Sequence, residues 1–224
     1  MASLPAEDPS SARGRSAAYG RPVEGTGGDW STRHSVSATA QRTAALINAL
    51  ADDRPDPAAV AAVLRAYGEA DPVELTAAEV AGMRAAAELL RPVFAAEDTD
   101  TAAAVLNRLL LEHTGPLRLS SHGGGTPWHP HLDRDDDAPW EAWLLASSCM
   151  ALTVLLWDRQ RPPGRICAST ACRNVFVSQG SGPERRYCSR RCATRERVAA
   201  HRRLRSAERP ADGNGRSPGP GADR

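Results

Sequence analysis

The sequence predicts a mainly α protein: a helical N-terminal domain with a small β-hairpin-like insertion, followed by a small C-terminal module closed by two cysteine pairs. Three observations carry this. Apolar residues recur at helical spacing from Val36 to Leu155 behind recognisable start signals. A glycine run, Gly123–Gly125, separates two short extended segments. Four of the five cysteines fall within residues 167–192.

The elements follow in order. Residues 1–34 are rich in Gly, Ser, Pro and Arg without apolar periodicity, and disorder is expected there. Val36, Ala40, Thr43, Ala44, Ile47 and Leu50 mark a first helix. Asp56 before Pro57 reads as an N-cap and first-turn proline, with Val60, Val63, Leu64 and Tyr67 on one face. Thr76 and Glu79 have the spacing of a capping box, and Leu75 with Val80 that of a hydrophobic staple. The helix they open carries Met83, Ala87 and Leu90, with a kink expected at Pro92. A fourth helix starts near Thr99 or Asp100, runs through Val105, Leu106, Leu109 and Leu110, and stops by Gly115-Pro116.

Leu117–Ser120 and Trp128–Leu132 read as two extended pieces, and Pro130 restricts the second to an edge. After the acidic run Asp133–Asp137, Pro139 opens an apolar helix through Trp143, Leu144, Met150, Val154 and Leu155. Its uncharged run, Ala142–Trp157, is shorter than the ~20 residues of a spanning helix, so a buried helix and no membrane partner are expected. Arg161-Pro162-Pro163-Gly164 reads as the joint between a helical regulatory domain, 35–160, and a second module, 165–206, with a disordered tail at 207–224.

Charge separates the two parts. The net charge of +1 is the sum of −8 over residues 1–164 and +9 over 165–224, and every basic residue is arginine. A basic end beside an acidic body points to a polyanionic partner for that end. The N-terminus offers no apolar segment for a signal peptide, so a cytoplasmic protein with reduced thiols is expected.

The cysteines are spaced C-x4-C, fifteen residues, C-x3-C: Cys167, Cys172, Cys188 and Cys192. Two close-spaced pairs supply the four soft ligands of a tetrahedral zinc. Four thiolates leave no open position, so one structural zinc per chain is expected and no catalytic metal. The segment is too small to fold on its own core, so zinc should hold it together. Cys149, in mid-helix, is a small core residue by this reading. The treble-clef-like finger so formed places Ser189 as the N-cap of a helix running to about Ser206. On that helix Arg190, Arg197 and Arg205 lie opposite the thiols, and Arg191, Arg195 and Arg202 form an adjoining stripe. Guanidinium groups in such a band suit phosphates and guanine edges, and DNA is the expected partner.

Cys167-x4-Cys172, Val175-Phe176-Val177, Arg185-Arg186-Tyr187-Cys188-Ser189 and Cys192-Ala193-Thr194-Arg195 together resemble the bacterial CGNR zinc-finger proteins. That family is regarded as stress-induced transcription regulators. Its Cys-Gly-Asn-Arg tetrad is varied here to Cys-Ala-Thr-Arg, with the first and last positions kept. More weakly, the resemblance extends to Ile47-Asn48 and over residues 36–206. It implies a zinc-dependent transcriptional regulator whose N-terminal domain senses a small-molecule or protein effector or forms a homodimer. The alternative is a zinc-stabilised module that binds protein or RNA.

His122, His129 and His131 lie near Asp133, Asp135, Asp136 and Asp137. In an extended segment His129 and His131 share a face, as two metal ligands would. The preferred reading is a polar edge strand anchored by Trp128, with a metal or ligand sensor second. No nucleophile–base signature or phosphate loop marks an enzyme.

Overall fold

The computed structural model describes residues 35–178 and 184–207. The expected disorder at 1–34 and in most of the 207–224 tail falls outside the described residues.

Each helix starts where a side chain can satisfy its free amides. Ser35 caps α1 (Val36–Ala49), accepting from the Ala38 amide, and Asp56 caps α2 (Pro57–Ala66) through the Ala58 amide. The Thr76–Glu79 capping box is formed in both directions at the head of α3 (Ala77–Ala95), which continues through Pro92 to Ala95. Asp98 caps α4 (Thr99–His113). Its carboxyl is held below the usual range by the Thr101 amide and hydroxyl. Proline leads into α5 (Trp140–Arg159), which closes on Gln160 in the left-handed region.

These five helices bury one core. Helix α5 is its centre and packs on α1, α3 and α4. Trp143, Leu144, Leu145, Cys149, Leu152 and Leu155 point from it in several directions into the bundle. A helix apolar nearly all round must be enclosed by other elements. It is 20 residues long, enough in length and composition to cross a membrane, and half of its apolar stretch is buried within the protein. Its one buried polar link is to α1, where Thr43 and Ser148 share a hydrogen bond of 2.8 Å. Thr43 also donates to the Thr39 carbonyl, so both hydroxyls can be satisfied away from water.

Between α4 and α5, β1 (Arg118–Ser120) and β2 (His129–His131) pair antiparallel, with Leu119 opposite Pro130. This is the expected hairpin. Gly123 and Gly124 take φ of 68° and 90° in its loop, a region that costs glycine nothing.

A second hairpin, β3 (Gly164–Ile166) with β4 (Val175–Val177), follows α5 directly. Only its second strand was expected from the sequence. The hairpin belongs to the helical core, which corrects the picture of two separate cores joined at 161–164. Val175 and Val177 are part of the main hydrophobic cluster, and β4 lies on α1. Asn48 of α1 acts as a surrogate strand: its amide nitrogen donates to the Val175 carbonyl at 2.9 Å and its oxygen accepts from the Val175 amide at 2.8 Å. Gly164 makes the seating possible. A Cβ there would fall 2.3 Å from the edge of the Phe94 ring and 2.6 Å from the Phe176 carbonyl oxygen.

Helix α6 (Arg190–Ala207) ends the described chain and packs on no other helix or strand.

Candidate metal centre

The second hairpin fixes the first cysteine pair. Cys167 follows β3 directly and its amide donates to the Asn174 carbonyl at 2.8 Å. Cys172 sits in the turn that returns to β4, its amide on the Ser169 carbonyl at 2.9 Å. The second pair is fixed by α6. Cys188 stands one residue before the cap Ser189, and Cys192 lies in the first turn. Ser189 accepts from the Cys192 amide at 3.2 Å, the capping role expected of it. The Ala168 amide donates to the Arg186 carbonyl and ties the two halves together.

The four sulfurs lie within 4.8 Å of one another. Cys172 to Cys188 and Cys188 to Cys192 are both 3.7 Å. Four sulfurs at ~2.3 Å from one zinc, in a tetrahedron, stand about 3.8 Å apart. The cluster therefore fits zinc, and at these distances no pair is a disulfide. Cys167 and Cys192 are buried and the other two half-buried, consistent with a closed structural site.

Burial and the neighbouring sulfurs push Cys188 up to about 12, while the Ser189 hydroxyl beside Cys192 holds it down to about 7. Zinc binding requires thiolates, so loading the site releases protons. Two donors turn toward the sulfurs: the Cys188 amide to Cys167 Sγ and Arg195 Nη2 to Cys192 Sγ, each at 3.4 Å. Cys149 stands apart, buried in α5, its thiol pushed up to about 12 by burial alone. It is the inert core residue expected.

The six arginines assigned to the basic band divide. Arg190, Arg191, Arg197, Arg202 and Arg205 are exposed along α6. Arg195 is exposed as well, but its guanidinium reaches back to the knuckle. Its Nε and Nη2 donate to Ser169 Oγ at 3.2 and 2.8 Å, and Ser169 in turn donates to Glu196 at 2.7 Å. The reason is its place three residues after Cys192, on the same face of the helix. Arg195 thus has a second role in the band, as a positioning residue of the metal knuckle. Arg185, part of the motif that precedes Cys188, was not assigned to the band. Its guanidinium donates to the Cys188 carbonyl at 2.9 Å and lies over the Phe176 ring. Together with Arg191 and Arg195 it lines an open groove whose other wall is Gln41, Asn48 and Tyr67.

At the first hairpin, His129 and His131 do share a face, and His122 joins them from the loop, all three rings within 4.8 Å through a ring nitrogen. Trp128 is not the anchor expected; it is 72% exposed. The polar edge strand is thus held by its histidines and their acidic partners. Desolvation lowers both His122 and His129 below the usual histidine value. Burial alone would raise Asp133 and Asp136. The bonds from His131 and Arg118 to Asp133, and from Ser120 and Arg118 to Asp136, outweigh it and hold both carboxyls low.

No curated protein matches this chain. Residues 164–205 match the family model of the CGNR zinc finger, a span that starts at β3 and ends within α6. Within that span lie all four clustered sulfurs, spaced for one tetrahedral ion and tied to the arginine that ends the varied tetrad. The C-terminal part of this chain is therefore a zinc-binding CGNR zinc finger with one structural zinc site.

Proposed function

We propose that this chain is a zinc-dependent DNA-binding protein that regulates transcription in the bacterial cytoplasm, with the helical domain receiving an effector. One observation carries the reading: among the described residues α6 leaves the finger without packing on any helix or strand and exposes Arg190, Arg191, Arg197, Arg202 and Arg205. A basic helix held against the acidic body would have satisfied these charges internally. Instead, α6 is an 18-residue helix about 27 Å long, and only its first turns engage the knuckle. A B-form major groove about 12 Å wide admits such a helix. The zinc knuckle sets the start of α6 and hence the direction of its arginines. Arg185 and Arg191 continue the basic surface into the groove beside α1.

The test is an anisotropy titration of the zinc-loaded full chain on random and genomic duplexes over a salt series. If five of the exposed arginines each neutralise a phosphate, log affinity falls with log salt at a slope of about −4 to −5. Arg197→Ala then flattens the slope by about one and weakens all sequences alike. Affinity that ignores salt would overturn the reading and favour a protein-binding finger. Salt-sensitive binding to single-stranded RNA but not duplex DNA would point to the RNA alternative.

A further inference from the structure

The first hairpin brings together three imidazoles that the finger does not use. His129 Nε2 lies 2.9 Å from His131 Nε2 and 3.3 Å from His122 Nε2. Two nitrogens bound to one zinc at 2.0–2.1 Å in a tetrahedron stand about 3.3 Å apart, so the spacing is that of a shared ion.

The outer nitrogens fix the tautomers. His129 Nδ1 is 2.8 Å from the Pro127 carbonyl, which only accepts, so Nδ1 carries the proton. His131 Nδ1 is 2.8 Å from Asp133 Oδ1, and His122 Nδ1 is 3.4 Å from Asp136 Oδ2. Both carboxylates are themselves clamped by Arg118 Nη2 at 2.7 Å. In neutral imidazoles protonated at Nδ1, all three Nε2 atoms present lone pairs to one another. A single proton could bridge only one pair of them. A cation accepts all three. The pattern of ligating imidazole with its far nitrogen on a carboxylate or backbone carbonyl is the usual support of a metal-bound histidine.

The loop is built to this end. His122 adopts φ 49°, one of two non-glycine residues with positive φ among the described residues. Its amide is held by Ser120 Oγ at 3.0 Å, and Ser120 also donates to Asp136 at 2.8 Å. A strained backbone at a convergent side-chain cluster is a common mark of a binding site.

We propose that His122, His129 and His131 form a second metal site, for a divalent transition ion of borderline softness such as zinc. Three neutral nitrogen donors suit that class over calcium or magnesium, which take oxygen ligands. Unlike the four-cysteine site, three protein ligands leave a coordination position for water or an exogenous ligand. This site does not depend on the DNA-binding reading.

The experiment is metal analysis of the full chain, equilibrated with zinc and desalted, with cobalt substitution as the spectroscopic probe. Two equivalents are expected. The cobalt spectrum should combine intense thiolate charge-transfer bands from the finger with weaker nitrogen-site bands. His129→Ala with His131→Ala should lose one equivalent and keep the thiolate bands, which also show that the variant is folded. Asp133→Asn with Asp136→Asn keeps every ligand and should weaken only the second equivalent, by about 10–100-fold. One equivalent in the wild type, or a second that survives the histidine double variant, overturns the proposal.

Discussion

Asn48 joins α1 to the second hairpin through one side chain. It pairs with both the amide and the carbonyl of Val175, a residue 1% exposed. An amide side chain can do this because it carries a donor and an acceptor in one plane, as a peptide does. Asn48→Leu keeps the volume but orphans both backbone groups. At ~1–3 kcal/mol for each, the loss should be about 2–6 kcal/mol, read from the urea midpoint with the m-value unchanged. A loss under about 0.5 kcal/mol would mean that the hairpin is held by its valines alone. Ile47-Asn48 stood out in the sequence only by resemblance. The reason for the Asn is a partner 127 positions away.

Among the elements, α6 shows how one helix carries two jobs on two faces. Cys192 and Arg195 face the knuckle, while Arg197, on another face, is exposed. The two arginines should therefore separate in experiment. Arg195→Ala removes the donor to Cys192 Sγ and the clamp on Ser169, and should weaken zinc retention about 10-fold against a competing chelator. Arg197→Ala should leave zinc retention unchanged. Equal effects would place both arginines on the same face. Helical periodicity alone grouped Arg195 with Arg191 and Arg202, because periodicity gives an angle and not a partner. The CGNR signature keeps an arginine at this place, and the structure gives the reason: it sits one turn beyond a ligating cysteine.

At the scale of the whole molecule, the boundary between body and finger does not fall at the proline-rich joint. The hairpin β3–β4 belongs to the finger by sequence and to the helical core by packing. Removing zinc should therefore release the cysteine turns and α6, and leave the hairpin seated. Hydrogen exchange on the chelated chain should show α6 amides unprotected and those of α1, α3, α5 and β4 still protected. Loss of protection in β4 along with α6 would restore the picture of two independent cores.

The sequence by itself determined what depends on near neighbours. Helix starts follow from capping residues a few positions away, so Asp56 and Thr76 could be read directly. The zinc ligands were legible because close-spaced cysteine pairs define their own turns, and all four indeed converge. The first hairpin was announced by its glycines. Tertiary structure decided what depends on distant groups. The strand β3 has no local signal: Gly164 is a strand residue because the Phe94 ring lies against it and Val177 pairs with it. Trp128 looked like an anchor by composition, yet the chain leaves it in solvent. His122 was visible only as a neighbour of the other two histidines. A left-handed turn, which the sequence does not specify for a histidine, swings its ring back over β2 and makes a pair into a triad.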